Sequence, residues 1–210
     1  MNLLLLSLGV GAVPAFLTER VNRPAPAVRI GYLNDAASPY EGAGFVVAER
    51  AQLADLGYVL ADISAGDIDD PSEFSAVLDG LDAVYVAGGN TFVLLAALRR
   101  HGADAVLTGR VRAGLPYIGS SAGSVVTGPS IEPVSLMDDP SAAPDLADRR
   151  GLGLVDTVVI PHADGALPPY PPELIARLVE TYGSTYPLTL VNDDQALLVE
   201  DGSARLISSP

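Results

Sequence analysis

Short apolar runs alternate with helix-patterned stretches along nearly the whole chain, and this alternation narrows the available folds more than any other feature. Candidate strands are Asn2–Leu8, Val28–Leu33, Tyr58–Ile63, Ala83–Val86, Tyr117–Gly119 and Thr157–Ile160, followed by Leu188–Val191, Ala196–Val199 and Ala204–Ile207. Helical patterns such as Ala43–Leu56, Pro71–Leu78, Thr91–Arg100 and Pro172–Tyr182 lie between them. Strands separated by helices join through right-handed crossovers, which predicts an α/β fold: a mostly parallel, doubly wound sheet covered by helices on both faces. The last two runs are linked by Glu200-Asp201-Gly202-Ser203, a hairpin signal, so an antiparallel edge is expected near the C-terminus. No internal repeat or linker divides the 210 residues, and residues 1–210 are read as one domain. Pro129–Gly151, rich in Pro, Asp and Ala, forms one long excursion of the kind that often carries function.

Composition removes several function classes. The formal charge is −14, and every cation is an arginine, since no lysine occurs. Such a surface repels phosphate backbones and anionic lipid, so neither nucleic acid nor membrane is an expected partner. Without cysteine there is no disulfide, thiolate metal site or cysteine nucleophile, and His101 and His162 are too few for a multi-histidine metal centre. No metal and no cofactor is expected. The run Leu3-Leu4-Leu5-Leu6-Ser7-Leu8 has no preceding Lys or Arg, unlike a secretory signal, and is too short for a membrane span. It is read as a buried first strand of a cytoplasmic protein.

Chemistry concentrates at the expected carboxyl ends of strands, where open α/β sheets build their sites. Gly119-Ser120-Ser121-Ala122-Gly123 follows the apolar run Leu115-Pro116-Tyr117-Ile118 and opens a helix. This G-x-S-x-G spacing is that of a nucleophile elbow, which lifts a serine to the apex of a tight bend. Ala87-Gly88-Gly89-Asn90-Thr91 follows another strand, and its glycines let backbone approach a ligand closely. Gly88, Gly89 and Asn90, with Ala122, are the candidate oxyanion and substrate-binding positions. Asn90 or Thr91 equally suits a plain helix cap.

Pro161-His162 ends the Thr157–Ile160 run, and a hydroxyl nucleophile needs a base that titrates in histidine's range. His162 is the candidate base. His101, in Arg99-Arg100-His101-Gly102, reads as the C-terminal end of an exposed helix. The acid that would orient His162 is overprovided: Asp193, Asp194, Asp138, Asp139 and Asp164 are all candidates, and aspartates are common turn residues.

Taken together, Ala87-Gly88-Gly89-Asn90-Thr91-Phe92, Tyr117-Ile118-Gly119-Ser120-Ser121-Ala122-Gly123-Ser124 and Ile160-Pro161-His162 resemble the peptidase E and cyanophycinase family of serine peptidases. The resemblance spans nearly the whole chain and implies a class I glutamine-amidotransferase-like fold with serine replacing the usual cysteine. It implies Ser121 as nucleophile and His162 as base. By analogy with peptidase E the acid falls at Asp138 or Asp139; by analogy with cyanophycinase it falls at Asp193, which is preferred, with Asp139 as the rival. Asp164 ranks third, as a mimic of the amidotransferase His-x-Glu. The resemblance further implies a small peptide substrate, an activity akin to aspartyl dipeptidase, and a homodimer. One departure stands out: the stretch Ala163–Tyr170 lacks the arginine that family members place after the histidine to meet a substrate carboxylate. Arg149, Arg150, Arg177 or an arginine from a second subunit would have to replace it, because a buried carboxylate without a cation is costly.

Two other classes compete. A flavin or nucleotide binder would use Gly88-Gly89-Asn90-Thr91 as a phosphate cradle, but neither G-x-G-x-x-G nor a P-loop lysine is present. A non-enzymatic ligand-binding or interaction module on the same fold would show an occluded Ser121, or a His162 out of its reach.

Overall fold

The computed structural model describes residues 1–200 and 202–210. Of the predicted hairpin turn, Asp201 lies outside the described residues. The strands are β1 (Asn2–Leu6), β2 (Arg29–Leu33), β3 (Val59–Ile63), β4 (Ala83–Val86), β5 (Tyr117–Ser120), β6 (Val158–Ile160), β7 (Leu188–Leu190), β8 (Gln195–Glu200) and β9 (Ser203–Ser208). Helices are α1 (Val13–Thr18), α2 (Gly44–Asp55), α3 (Pro71–Asp79), α4 (Thr91–Arg100), α5 (Ala103–Arg112), α6 (Ala122–Val125) and α7 (Pro172–Tyr182). The main sheet has the order β3-β2-β4-β5-β1-β8-β9. Its first five strands pair in parallel, and β8 and β9 pair antiparallel at the edge.

The parallel centre explains the unbroken apolar runs. Leu3, Leu4, Leu5 and Leu6 are all fully buried, because a central strand packs both of its faces. Leu3 and Leu5 join the core beneath α3, α4 and α5; Leu4 and Leu6 join the opposite core, beneath α1 and α2. Most of the leucine run, Leu3–Leu6, is therefore an interior strand of the sheet, flanked by β5 and β8. Among the described residues, no helix is long and apolar enough to cross a membrane.

Local signals place the helices. Asp70 caps α3 by accepting from Ser72 N–H at 2.7 Å, with Pro71 at the first helical position. Asn90 caps α4 by accepting from Phe92 and Val93 N–H at 2.9 and 3.1 Å. A left-handed Gly102 (φ 77°) separates α4 from α5, so the chain reverses there without a side-chain clash. His101 ends α4 and faces Asp69 at the surface.

The last parallel strands depart from a single sheet. Among the described residues, β6 and β7 pair only with each other, beside the core of α6 and α7. The antiparallel β8 occupies the edge of β1 where another parallel strand could have joined. This small sheet ends in Ile160 and Leu190, just before His162 and Asp193 respectively, and so carries both side chains to the same rim.

Candidate active site

Ser121 follows β5 directly and has φ 45° and ψ −107°, a backbone conformation that costs a non-glycine residue on the order of 1–3 kcal/mol. Close packing enforces it. A Cβ at Gly119 would come within 2.4 Å of Gly123 O, and a Cβ at Gly123 within 2.0 Å of Val86 O. Only glycines allow this approach of backbone to backbone, which is why small residues flank the serine. Helix α6 is a single turn, and Ser121 at its start is half-buried.

From Ser121 a line of hydrogen bonds crosses to the small sheet. Ser121 Oγ lies 3.1 Å from His162 Nε2, and His162 Nδ1 lies 2.6 Å from Asp193 Oδ1. A proton on Nδ1, held by the carboxylate, leaves Nε2 free to accept from the serine hydroxyl. His162 itself is buried, at 3% exposure, and has a positive φ of 56°. Its ring stacks on Tyr170, with centroids 5.0 Å apart and planes 13° apart. The stack closes one face of the imidazole and resists its rotation.

Ser7, at the end of β1, ties this arrangement to the main sheet. Its hydroxyl accepts from His162 N–H at 2.7 Å and donates to Asp193 Oδ1 at 2.8 Å. Neither Ser7 nor Tyr170 is among the candidates that the sequence offers. Ser7 has a readable signal, a hydroxyl interrupting the leucine run of the expected first strand; Tyr170 has none that sets it apart from other loop tyrosines.

The remaining candidate acids do other things. Asp138 Oδ2 accepts from Thr91 N–H (2.8 Å) and Thr91 Oγ1 (2.6 Å), holding the long excursion against the start of α4. Burial pushes its carboxyl above the ordinary range, while the Thr91 bonds and the nearby His162 pull the other way. Asp139 caps a short turn, accepting from Ser141 N–H and Oγ–H at 2.9 and 2.8 Å, and these bonds lower its pKa. Asp164 approaches the Asp193 N–H only at 3.4 Å, and Asp194 is exposed, its carbonyl accepting from Ser209 N–H. The structure thus brings Asp193 to His162 and leaves Asp139 elsewhere.

The candidate oxyanion positions also separate. Gly88 N–H is committed to Glu49, 3.2 Å from each carboxyl oxygen. Asn90 N–H donates to Ala36 O at 2.8 Å, and its side chain caps α4. Among the described residues, Gly89 and Ala122 N–H have no protein acceptor. Gly89 needs to be glycine: φ is 138°, and a Cβ there would meet Ala36 O at 2.2 Å. Glu49, too, is not among the candidates that the sequence offers.

The arginines proposed to meet an acidic substrate are differently engaged. Arg149 pairs with Glu132 at 2.7 Å and lies over the Phe92 ring; Arg150 pairs with Asp148 at 2.7 Å; Arg177 is exposed on α7. Among the described residues, no arginine hydrogen-bonds or ion-pairs with Ser121, His162 or Asp193, and no cluster of three or more potential ligands could hold a metal ion. The features expected of a non-enzymatic module are absent here, since Ser121 is half-buried rather than occluded and His162 is within its reach.

Comparison with known proteins bears on the family and the fold. The model of peptidase family S51 matches residues 13–207. An uncharacterized peptidase of Listeria innocua is 32% identical over 202 residues, covering 95% of this chain and 93% of its own. Peptidase E of Streptomyces coelicolor is 36% identical over 167 residues, covering 77% of this chain and 64% of its own. A solved structure from Listeria monocytogenes EGD-e, assigned to peptidase E, superimposes with a TM-score of 0.85 at 29% identity, covering 99% of this chain and 98% of that one.

Proposed function

Since this chain belongs to peptidase family S51, and is on that ground a peptidase, we propose that it is a serine peptidase acting on short peptides, a dipeptidase related to aspartyl dipeptidase. The observation that carries the reading is the continuous line Ser121 Oγ, His162 Nε2, His162 Nδ1, Asp193 Oδ1, with spacings of 3.1 and 2.6 Å. Ser121 Oγ attacks the scissile carbonyl carbon and forms the new C–O bond, while its proton passes to His162 Nε2. Asp193 holds the resulting imidazolium. Gly89 and Ala122 N–H, the donors without protein acceptors, receive the oxyanion. Collapse breaks the C–N bond, and His162 returns the proton to the leaving amine. Water then attacks the acyl-serine by the same route in reverse and releases the acid.

An N-terminal aspartate on the substrate would need a cation close to this site. The arginine-free stretch Ala163–Tyr170 does not provide one, so aspartyl specificity depends on Arg177 or on an arginine of a second copy in a homodimer.

The test is a panel of Asp-X, Glu-X and neutral dipeptides assayed beside Ser121→Ala. Ser121-dependent cleavage confined to Asp-X is the result expected of an aspartyl dipeptidase. Ser121-dependent cleavage of the others keeps the serine peptidase and discards that specificity. Full activity in Ser121→Ala, or none in well-folded wild type, overturns the reading.

A further inference from the structure

Helix α2 turns an acid toward the sheet. Leu53 is its one fully buried residue, and Glu49, one turn earlier on the same face, points to the same core side. A carboxyl in that position costs desolvation free energy that an apolar side chain would not incur. It does not stand idle. Tyr85 Oη–H donates to Glu49 Oε1 at 3.0 Å, and Gly88 N–H lies 3.2 Å from both carboxyl oxygens. Both groups belong to one segment, which runs from β4 into Gly88-Gly89.

Among the described residues, the Gly89 N–H on this segment and the Ala122 N–H just after Ser121 have no protein acceptor. An oxyanion hole works only when both donors sit close to hydrogen-bond distance from one point, so their mutual position has to be held. Gly88 sits between the acid and the nucleophile: a Cβ built on it would lie 3.4 Å from Ser121 Cβ and 3.7 Å from Glu49 Oε2. Binding the Gly88 N–H away from the site fixes the Ala87–Gly88 peptide plane, one residue before the plane that carries the Gly89 N–H, and so anchors the turn from which that N–H projects.

We propose that Glu49 is a positioning residue for the oxyanion hole, its carboxyl anchoring Gly88 so that the Gly89 N–H is held toward the Ala122 N–H at the carbonyl attacked by Ser121. This inference rests on the serine-peptidase reading above. Glu49 does not touch substrate; it acts through the Gly88-Gly89 backbone.

The experiment compares wild type, Glu49→Gln, Glu49→Asp and Glu49→Ala of the full chain. It measures kcat and KM on a dipeptide the wild type cleaves, and the rate of covalent labelling by an ethoxy fluorophosphonate. The phosphonyl oxygen of that probe occupies the oxyanion position when serine attacks. Glu49→Ala is expected to lose about 10²-fold in kcat, comparable to the loss of one oxyanion donor, with a matching fall in labelling rate and KM changed less than about 3-fold. Glu49→Gln keeps a carbonyl acceptor at the same reach and is expected to recover most of both losses; Glu49→Asp withdraws the carboxyl by one methylene and is expected not to. If Glu49→Ala does not fold, the contrast between Gln and Asp carries the test. Unchanged kcat and labelling in Glu49→Ala overturns the proposal, as does Asp performing as well as Gln. So does a rise in KM alone, which would make Glu49 a substrate-binding group. Failure of the wild type itself to label or cleave removes the Ser121 reading beneath it. Normal labelling of both wild type and Glu49→Ala removes only the role of Glu49.

Discussion

Two carboxyls flank the nucleophile, and their surroundings make them opposites. Asp193 reaches His162 from the short β6–β7 sheet and is bonded to an ionisable ring and to Ser7. Glu49 approaches under α2 and is bonded to a tyrosine hydroxyl and a backbone N–H, all neutral donors. An acid facing an imidazole stabilises charge that appears during the reaction. An acid facing fixed neutral dipoles can only hold geometry, and burial pushes its pKa up, with the bonds to Tyr85 and Gly88 opposing that rise. The comparison teaches that a carboxyl at the rim of such a sheet is assigned by its partners, not by its distance in sequence from the serine.

The strongest challenge to this contrast lies at the centre. Ser121→Ala or His162→Ala should reduce kcat by roughly 10³-fold or more, measured on any dipeptide the wild type cleaves. Next comes the acid. Asp193→Asn should cost about 10²- to 10⁴-fold in kcat, since the imidazole loses the partner that fixes its tautomer. Asp139→Asn, whose carboxyl only caps its own turn, should stay within about 3-fold of wild type on the same assay. Equal losses in the two variants would dissolve the distinction between an acid that faces the histidine and acids that do not. Ser7→Ala should act more mildly and on two readouts. It strips the acceptor from the buried His162 N–H, which is expected to cost about 1–3 kcal/mol of stability in a denaturant titration. It also loosens Asp193, and kcat should fall about 10-fold. Stability loss without any loss of kcat would make Ser7 a structural tie only.

Much of this site could be read from residue order, for physical reasons that also explain the gaps. The G-x-S-x-G around Ser121 and the paired glycines at Gly88-Gly89 are backbone constraints, and backbone constraints leave a local trace in sequence. His162 was legible because histidine is scarce here and sits directly after a strand. The alternation of apolar runs with helical patterns foretold the parallel sheet with its antiparallel edge. The acid was not resolvable from the residues alone, because Asp138, Asp139, Asp164 and Asp193 all sit in loops where capping uses the same side chain. Nor was the separation of β6 and β7 from the main sheet legible, since strand pairing is a tertiary choice between runs of equal hydrophobicity. Glu49 left no mark either: on a helix with exposed Phe45 and Val47, one more polar position looks like surface until Tyr85 and Gly88 are seen against it.

The smallest expected effect tests the Glu49 side of the comparison without any substrate. A carboxyl whose folded-state pKa is raised binds its proton more tightly when folded than when unfolded. Between the ordinary carboxylate value and the raised one, the folded protein carries more protons than the unfolded chain, so stability falls as pH rises through that window. Glutamine keeps an acceptor for Gly88 N–H but never ionises. The melting temperature of Glu49→Gln relative to wild type should therefore become more favourable as pH rises above the ordinary carboxylate range and level off once wild-type Glu49 is ionised. A chain of this length shifts by about 2–4 °C for each kcal/mol, which a calorimetric scan resolves. Asp138, also raised by burial, provides the control, because it titrates identically in both proteins and cancels in the difference. A difference that stays flat across that window would mean that Glu49 is no more reluctant to ionise than an exposed carboxyl, and the contrast with Asp193 would then rest on geometry alone.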